Sequence, residues 1–177
     1  HVDLQHLDEI LSKTPNALVS LMHANNEIGT MIDLDVIGNL CETHGAYFHS
    51  DTVQTMCHYR FDLSELDIDF ITASAHKFHG PKGIGFLYIN SKVSVKPMIH
   101  GGAQERNMRG GTENIYGIVG LAKAMDIANA ELEEHHSHVQ GIKSYMISCL
   151  KETIPGVHLN GDAEGNSLYT VLNVCFP

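Results

Sequence analysis

Residues 70–89 read FITASAHKFHGPKGIGFLYI, and this stretch decides the fold class. The apolar run Phe70–Ala73 predicts a short buried strand, and the polar cluster Ser74–Lys77 follows at its end. Gly80–Pro81 predicts a turn, after which Gly83–Ile89 predicts another strand. Groups that bind ligands lie at the carboxyl ends of strands in α/β sheets, so this arrangement favours an α/β protein.

The chain before this stretch alternates between helix-like and strand-like patterns. Apolar residues at helical spacing predict helices over residues 4–11 and 33–45, the second capped by Asp33 or Asp35, and apolar runs predict strands over residues 17–22 and 46–49. Because alternating helices and strands predict a mostly parallel sheet, the polar clusters that follow its strands are expected at one edge. Those clusters are Asn25-Asn26-Glu27, Asp51 with Gln54, and Ser74–Lys77.

The rest of the chain is predicted as connections, two helices and a separate layer. Residues 61–66 predict a turn or short helix, and residues 101–112 predict a long loop rich in Gly and Arg. The predicted inward residues of the two helices are Ile118, Val119, Ala122, Met125 and Ala128 in the first, and Val139, Ile142, Met146 and Leu150 in the second. Residues 157–159 and 170–176 predict strands of a different layer.

Composition excludes several classes of protein. The 177 residues are 43% hydrophobic with a net charge of −10, and no run approaches the roughly 18 apolar residues of a membrane helix. An acidic chain binds nucleic acid and anionic membranes poorly, so neither is an expected partner.

Four cysteines without a CxxC pair favour a reducing, cytoplasmic compartment. The chain starts without Met and ends inside an apolar run, so we expect an internal piece of a larger protein.

Thirteen histidines raise the question of a metal site. The densest group is His135, His136 and His138, of which only His135 and His138 share a helix face. Two ligands make a weak site, and a solvated helix face is the ordinary explanation. The sequence therefore predicts no metal.

Lys77 is the candidate reactive residue. A lysine at the end of a strand can form a Schiff base when its surroundings lower the pKa of its amine. Pyridoxal phosphate needs such a lysine together with a carboxylate that faces its pyridinium nitrogen, and Asp51 can supply that carboxylate. Gln54 or Asn26 can hold the ring oxygen. Short donors suited to the phosphate are Ser74, His76 and Thr112, and Lys82 with Arg106 or Arg109 can add positive charge.

Each of these residues also has an ordinary structural explanation. A single Lys after a strand is usually a surface lysine, and a single Asp there is usually a helix cap. There is no GxGxxG after the first strand, no P-loop motif and no GxSxG elbow, so dinucleotide, P-loop and hydrolase functions are weakly supported. Together, however, these residues lie at the ends of consecutive predicted strands, and that combination favours a pyridoxal-phosphate site over the ordinary explanations.

Four stretches together resemble the cysteine desulfurases, the NifS- and IscS-like branch of the class V aminotransferase-type enzymes. They are HANNEIGT (residues 23–30), HSDTVQ (49–54), SAHKFHGPKGIG (74–85) and GGAQERNMRGGT (101–112). The resemblance spans nearly the whole chain but only about the middle of a family member. It implies part of a fold-type I pyridoxal-phosphate-dependent transferase large domain, with a mixed, mostly parallel sheet, helices on both faces and Gly83–Ile89 as its one antiparallel strand. Residues 1–131 are then the second half of that domain, and residues 132–177 begin a small α+β domain.

The resemblance also implies roles. Lys77 resembles the Schiff-base lysine and catalytic base, Asp51 the pyridinium partner, and Gln54 the donor to the ring hydroxyl. Asn26 resembles the asparagine near the ring and the substrate carboxylate. The phosphate ligands are Ser74, His76 and Thr112, with Thr112 reaching into a partner subunit, which implies a homodimer.

By the same resemblance, the parent enzyme removes sulfur from L-cysteine, forms alanine and a protein persulfide, and supplies an acceptor protein such as an iron–sulfur scaffold. The alternatives are a selenocysteine lyase, a class V aminotransferase, or an inactive truncated module for dimerisation or binding. The family's persulfide-forming cysteine follows the strand that contains Cys175, and Cys175 itself is expected to be a small buried residue. The stacking histidine, part of the phosphate loop and the arginine that binds the substrate carboxylate have no counterpart in these residues.

Overall fold

The computed structural model describes all 177 residues. In chain order the elements are α1 (Leu4–Leu11), β1 (Leu18–Met22), α2 (Leu34–Thr43), β2 (Tyr47–Asp51), β3 (Phe70–Ser74), β4 (Gly85–Ile89), α3 (Ile115–Ala130), α4 (Leu132–Thr153), β5 (His158–Asn160) and β6 (Asn173–Cys175). Two short 3₁₀ turns cover Ala75–Phe78 and Glu105–Asn107. The segment 61–66 forms turns without a helix.

Four strands form one sheet in the order β1-β2-β3-β4. Strands β1, β2 and β3 are parallel, and β4 is antiparallel to β3, with Ser74 opposite Gly85. The mixed, mostly parallel sheet and its antiparallel strand are therefore confirmed. Strands β5 and β6 form a separate antiparallel pair, as predicted for the last two strands.

The hydrophobic core lies on one face of this sheet. Val19, Phe48 and Ile71 point into it from β1, β2 and β3, and α1, α2 and α3 pack against them. The opposite face leaves Leu18 60% exposed and Leu87 53% exposed. Helices were expected on both faces, but the first three helices of this chain cover only one.

Side-chain caps explain where the helices begin. The Asp3 carboxylate accepts a hydrogen bond from the His6 amide at 3.0 Å, and Asp33, rather than Asp35, accepts one from the Val36 amide at 3.1 Å. Such caps satisfy amides that have no partner inside the helix. Gly45 follows α2 with φ +62°, a conformation that glycine adopts without steric cost.

The inward face of α3 differs from the prediction. Met125 and Ala128 pack against the core, but Val119 is 63% exposed, and Ile118 and Ala122 are exposed as well. The helix is apolar nearly all round, so spacing alone does not define which face turns inward. Small residues decide it, because α3 lies close to the segment after β3: a Cβ atom on Gly120 would lie 2.5 Å from Cγ of Pro81.

The inward face of α4 also differs. Ile142 is 54% exposed and Met146 49% exposed, whereas Lys143 and Ile147 are buried. The Lys143 ammonium donates to Ser167 Oγ at 2.8 Å and to the Leu168 carbonyl at 3.1 Å. These hydrogen bonds offset the cost of burying a polar group, and a hydrophobic pattern does not register them. The division of the chain after residue 131 falls between α3 and α4 and stays a prediction.

None of the helices has the length and apolar character that crossing a membrane would require.

Candidate active site

The carboxyl ends of β1, β2 and β3 lie side by side. Met22 pairs with Asp51, and Asp51 pairs with Thr72 on the other side. The His23 amide donates to the Asp51 carbonyl at 2.9 Å, and the Asp51 carboxylate accepts from the Val53 amide at 2.9 Å. Asp51 thus ends the central strand of the parallel set, half-buried, with its carboxylate held by the backbone that follows.

Lys77 lies in the 3₁₀ turn that directly follows β3. Ala75 and Phe78 are buried and anchor this turn, while His76 and Lys77 are exposed. His79 closes the turn with φ +65°, and a Cβ atom on Gly80 would lie 2.8 Å from Cβ of Ala75. The turn is therefore compact, and the Lys77 amine takes part in no ion pair or hydrogen bond within the chain.

The remaining predicted site residues fall into two groups. Ser74 ends β3, Gln54 lies three residues beyond Asp51, and Asn26 lies in the loop after β1, all at the same edge of the sheet as Lys77. Asn26 is exposed, and its amide donates to the Glu27 carboxylate at 2.9 Å. Thr112 is exposed in the loop before α3, and its side chain makes no hydrogen bond to this edge.

Two histidines beside this edge were not predicted from the sequence. His49 lies between Ser20 and Thr72 on the open face of the sheet, with Nδ1 2.8 Å from Ser20 Oγ and Nε2 3.4 Å from Thr72 Oγ1. His23 is buried, and its Nδ1 lies 2.9 Å from Thr55 Oγ1. Burial lowers the pKa of His23 to about 4, against an opposing effect of Asp33. The signal for His49 is its alternation with Asp51 along β2, which puts both on one face.

The residues at this edge fit pyridoxal phosphate by the chemistry of their donors. Ser74, at the start of the turn, makes no capping hydrogen bond with its side chain. The Gln54 amide and the His76 ring are likewise without a hydrogen-bond partner in the chain. A phosphate needs such free donors, and a pyridinium nitrogen needs a carboxylate such as that of Asp51.

The four cysteines differ in their surroundings. Cys41 and Cys57 are buried, and burial raises the pKa of each thiol to about 11. Cys149 is partly exposed, and Cys175 is exposed. The expectation of a buried Cys175 is therefore wrong, because β6 belongs to a sheet of only two strands and one of its faces meets solvent.

A cavity of about 490 Å³ lies behind the turn that carries Lys77. Its histidines are His58, His79, His135 and His138, which come from the segment after β2, the end of the turn and α4. No three His, Cys, Asp or Glu side chains converge closely enough to hold a metal ion.

The mixed α/β sheet carries a free lysine, Lys77, and a carboxylate, Asp51, at the carboxyl ends of its strands. This arrangement is that of the fold-type I pyridoxal-phosphate-dependent enzymes. The chain belongs to the aminotransferase class-V family, whose model matches residues 1–177.

Two curated relatives are cysteine desulfurases named IscS. That from Dictyoglomus turgidum is 41% identical over 175 residues, which is 99% of this chain and 44% of that protein. That from Methanosarcina thermophila is 47% identical over 144 residues, which is 81% of this chain and 35% of that protein. The chain thus spans less than half the length of either relative. The family resemblance is confirmed.

Solved structures agree with this assignment. One described as a NifS-like protein superposes with a TM-score of 0.90 at 40% identity, covering 99% of this chain and 48% of its own. The NifS-like protein from Rickettsia africae superposes with a TM-score of 0.92 at 33% identity, covering 99% of this chain and 49% of its own. The fold-type I class is confirmed.

Proposed function

We propose that the protein is a pyridoxal-phosphate-dependent cysteine desulfurase, and that these residues form part of its active site. One observation carries the proposal. The unpaired Lys77 amine follows β3 directly, and the Asp51 carboxylate ends the neighbouring parallel strand. Identity to proteins named cysteine desulfurase supports the choice of reaction within the family.

The cofactor would be held by residues at this edge. We assign the covalent link to Lys77, the pyridinium nitrogen to Asp51 and the ring oxygen to Gln54. Asn26 lies beside the ring, and the phosphate ligands are Ser74, His76 and Thr112. When bound, the cofactor supplies an electron sink for negative charge on the substrate's α-carbon.

The chain's own residues handle protons. The Asp51 carboxylate holds a proton on the ring nitrogen, because a negative charge beside that nitrogen favours its protonated form. The Lys77 amine moves the α-proton of the substrate, since it is exposed at the strand end and makes no hydrogen bond or ion pair with another residue. Ser74 and His76, on either side of the buried Ala75, fix the orientation of the phosphate relative to Lys77.

The proposed substrate is L-cysteine. Its sulfur passes to a thiol of the enzyme, so that the C–S bond breaks, an S–S bond forms, and the α-amino acid leaves as alanine. The thiol proton of the substrate remains on the persulfide, and the enzyme's thiol proton balances the new C–H bond. An acceptor protein, such as an iron–sulfur scaffold, takes the persulfide sulfur in the cytoplasm. Thr112 is assigned to the active site of a second copy, which makes the enzyme a homodimer.

The test is chemical trapping in the protein expressed from its full gene. Borohydride in the presence of pyridoxal phosphate should fix the cofactor on the peptide that contains Lys77. Lys77→Ala should abolish trapping and alanine formation, while Lys92→Ala, an exposed lysine beyond β4, should change neither. Fixation at another lysine would refute the assignment.

A substrate panel separates the related reactions. Alanine formation from L-cysteine at the highest kcat/KM supports the desulfurase. A higher kcat/KM with selenocysteine, or amino transfer to a 2-oxo acid, would replace it with one of the alternative enzymes, and no turnover at all would leave a binding or dimerisation module.

A further inference from the structure

His58 joins two distant parts of the chain. The ring is buried, with Nε2 3.1 Å from the Lys77 carbonyl oxygen and Nδ1 2.7 Å from the Tyr169 hydroxyl. A carbonyl only accepts, so Nε2 carries the hydrogen and donates to Lys77. Burial lowers the pKa of His58, which keeps the ring neutral. Nδ1 therefore accepts the hydrogen bond that the Tyr169 hydroxyl donates.

The Tyr169 end of this connection is firmly held. Tyr169 is 2% exposed, and its ring centroid lies 4.4 Å from that of His136 on α4. The preceding residue is fixed twice, because the Leu168 carbonyl accepts from Lys143 at 3.1 Å and the Leu168 amide donates to the Gly29 carbonyl at 2.8 Å. Tyr169 thus provides a rigid point from which His58 can act.

The turn that contains Lys77 is held less firmly than Tyr169. The turn Ala75–Phe78 has only four residues, and 3₁₀ hydrogen bonds are poorer than those of an α-helix. Its buried side chains, Ala75 and Phe78, fix its position, whereas the side chain of Lys77 is exposed and adds no packing of its own. A donor on the Lys77 carbonyl holds the backbone one bond away from the lysine's own Cα.

We propose that His58 and Tyr169 are positioning residues, which hold the Lys77 peptide in place and tie it to the segment that follows α4. The inference rests on the proposed role of Lys77 and adds to it. Both nitrogens of His58 are occupied, so its part in the histidine-lined cavity is structural and not that of a metal ligand.

Such a connection has a characteristic kinetic effect. Misplacing a reacting group by a fraction of an ångström lowers the rate of the chemical step far more than the binding of substrate. Loss of the connection should therefore lower kcat about tenfold and leave KM within about twofold.

The test uses three variants of the protein expressed from its full gene. Tyr169→Phe removes only the hydroxyl, His58→Leu removes both hydrogen bonds, and His58→Gln keeps an amide donor for the Lys77 carbonyl and an acceptor for Tyr169. The matched controls are Tyr145→Phe, which removes an exposed hydroxyl from α4, and His158→Leu, which removes an exposed histidine from β5.

The first readout is amide hydrogen exchange of the peptide 75–80 without added pyridoxal phosphate, so it does not depend on the reaction. We expect exchange to be about threefold faster or more in Tyr169→Phe and His58→Leu, with His58→Gln and both controls close to the unchanged protein. Unchanged exchange in Tyr169→Phe and His58→Leu, or equal acceleration in every peptide of the chain, would overturn the proposal. A failure of Lys77 trapping would instead count against the proposed function alone.

The second readout is steady-state kinetics on L-cysteine. A fall in kcat at constant KM in Tyr169→Phe and in His58→Leu supports positioning. So does a higher kcat in His58→Gln than in His58→Leu. An equal loss in the Gln and Leu variants of His58 contradicts it.

Discussion

A Cβ atom on Gly120 of α3 would lie 2.5 Å from Cγ of Pro81, in the segment that follows Lys77. The absence of a side chain at residue 120 is what lets α3 lie against this segment. The backbone around the candidate lysine is therefore supported by a helix that approaches it closely at a glycine. The same relationship explains why large apolar residues of α3, such as Val119, turn away from the core.

Gly120→Ala is expected to destabilise the protein. Alanine favours the helix by roughly 0.5–1 kcal/mol, but an overpacked contact costs roughly 1–3 kcal/mol, and a proline ring cannot turn aside. Gly141→Ala is the matched control, because nothing lies within 4 Å of its Cβ position on α4. Urea unfolding should show a lower free energy of unfolding for Gly120→Ala and an equal or higher one for Gly141→Ala.

His23 is expected to make stability depend on pH. The pKa of His23 is about 4 in the folded chain, against an ordinary value of 6.5. As the pH falls, the ring is therefore protonated in the unfolded chain before it is protonated in the folded one. The stability that neutral His23 allows is present above pH 6.5 and is lost as the pH falls toward 4.

His23→Gln removes the titrating ring but keeps a polar partner for Thr55. Between about pH 7 and about pH 5, the unchanged protein should lose about 2 kcal/mol more free energy of unfolding than this variant. Urea titrations at both pH values measure the difference, with the exposed His6→Gln as control. Equal pH dependence in the unchanged protein and His23→Gln would contradict the shifted pKa.

Asp51→Asn is expected to lower alanine formation by about 100-fold or more, because a neutral amide no longer favours a proton on the ring nitrogen. The fold should survive, since an amide oxygen can still accept from the Val53 amide at this position. Circular dichroism checks the fold, and turnover of L-cysteine checks the activity. Asp62→Asn, an exposed carboxylate between β2 and β3, should leave turnover unchanged; full activity in Asp51→Asn would remove Asp51 from its proposed role.

The four thiols are expected to react with iodoacetamide at different rates. The thiolate is the form that reacts. Cys41 and Cys57 are buried, and burial raises the pKa of each thiol to about 11, so both should react slowly. Cys175 is exposed and should be alkylated first under native conditions, with Cys149 following. Mass spectrometry of digests at successive times gives the order, and early labelling of Cys57 would show that the segment after β2 opens.

Much of the fold follows from local patterns. Short apolar runs predict β1, β2 and β3 because buried parallel strands read as continuous apolar stretches. Asp33 or Asp35 predicts the start of α2 through the backbone amides that such a side chain caps. The polar clusters after each strand predict that Asp51, Ser74 and Lys77 share an edge, since this depends only on the direction of the strands.

The face of a helix that turns inward was harder to predict. In α3 nearly every face is apolar, so the close approach to Pro81 decided it. In α4 a buried lysine occupies a position that a hydrophobic pattern assigns to solvent, because Ser167 and Leu168 satisfy its hydrogen bonds. Both cases depend on neighbours far along the chain.

The sequence by itself indicated that polar clusters follow successive strands, named the candidate lysine and its carboxylate, and identified the family to which the chain belongs. Local spacing and strand direction carry that information. Only the tertiary structure showed that His58 lies between Lys77 and Tyr169, because His58 and Tyr169 are 111 residues apart and no local pattern links them. Likewise, only packing settled which faces of α3 and α4 are buried, since that is decided by steric fit and hydrogen bonding between segments distant in the chain.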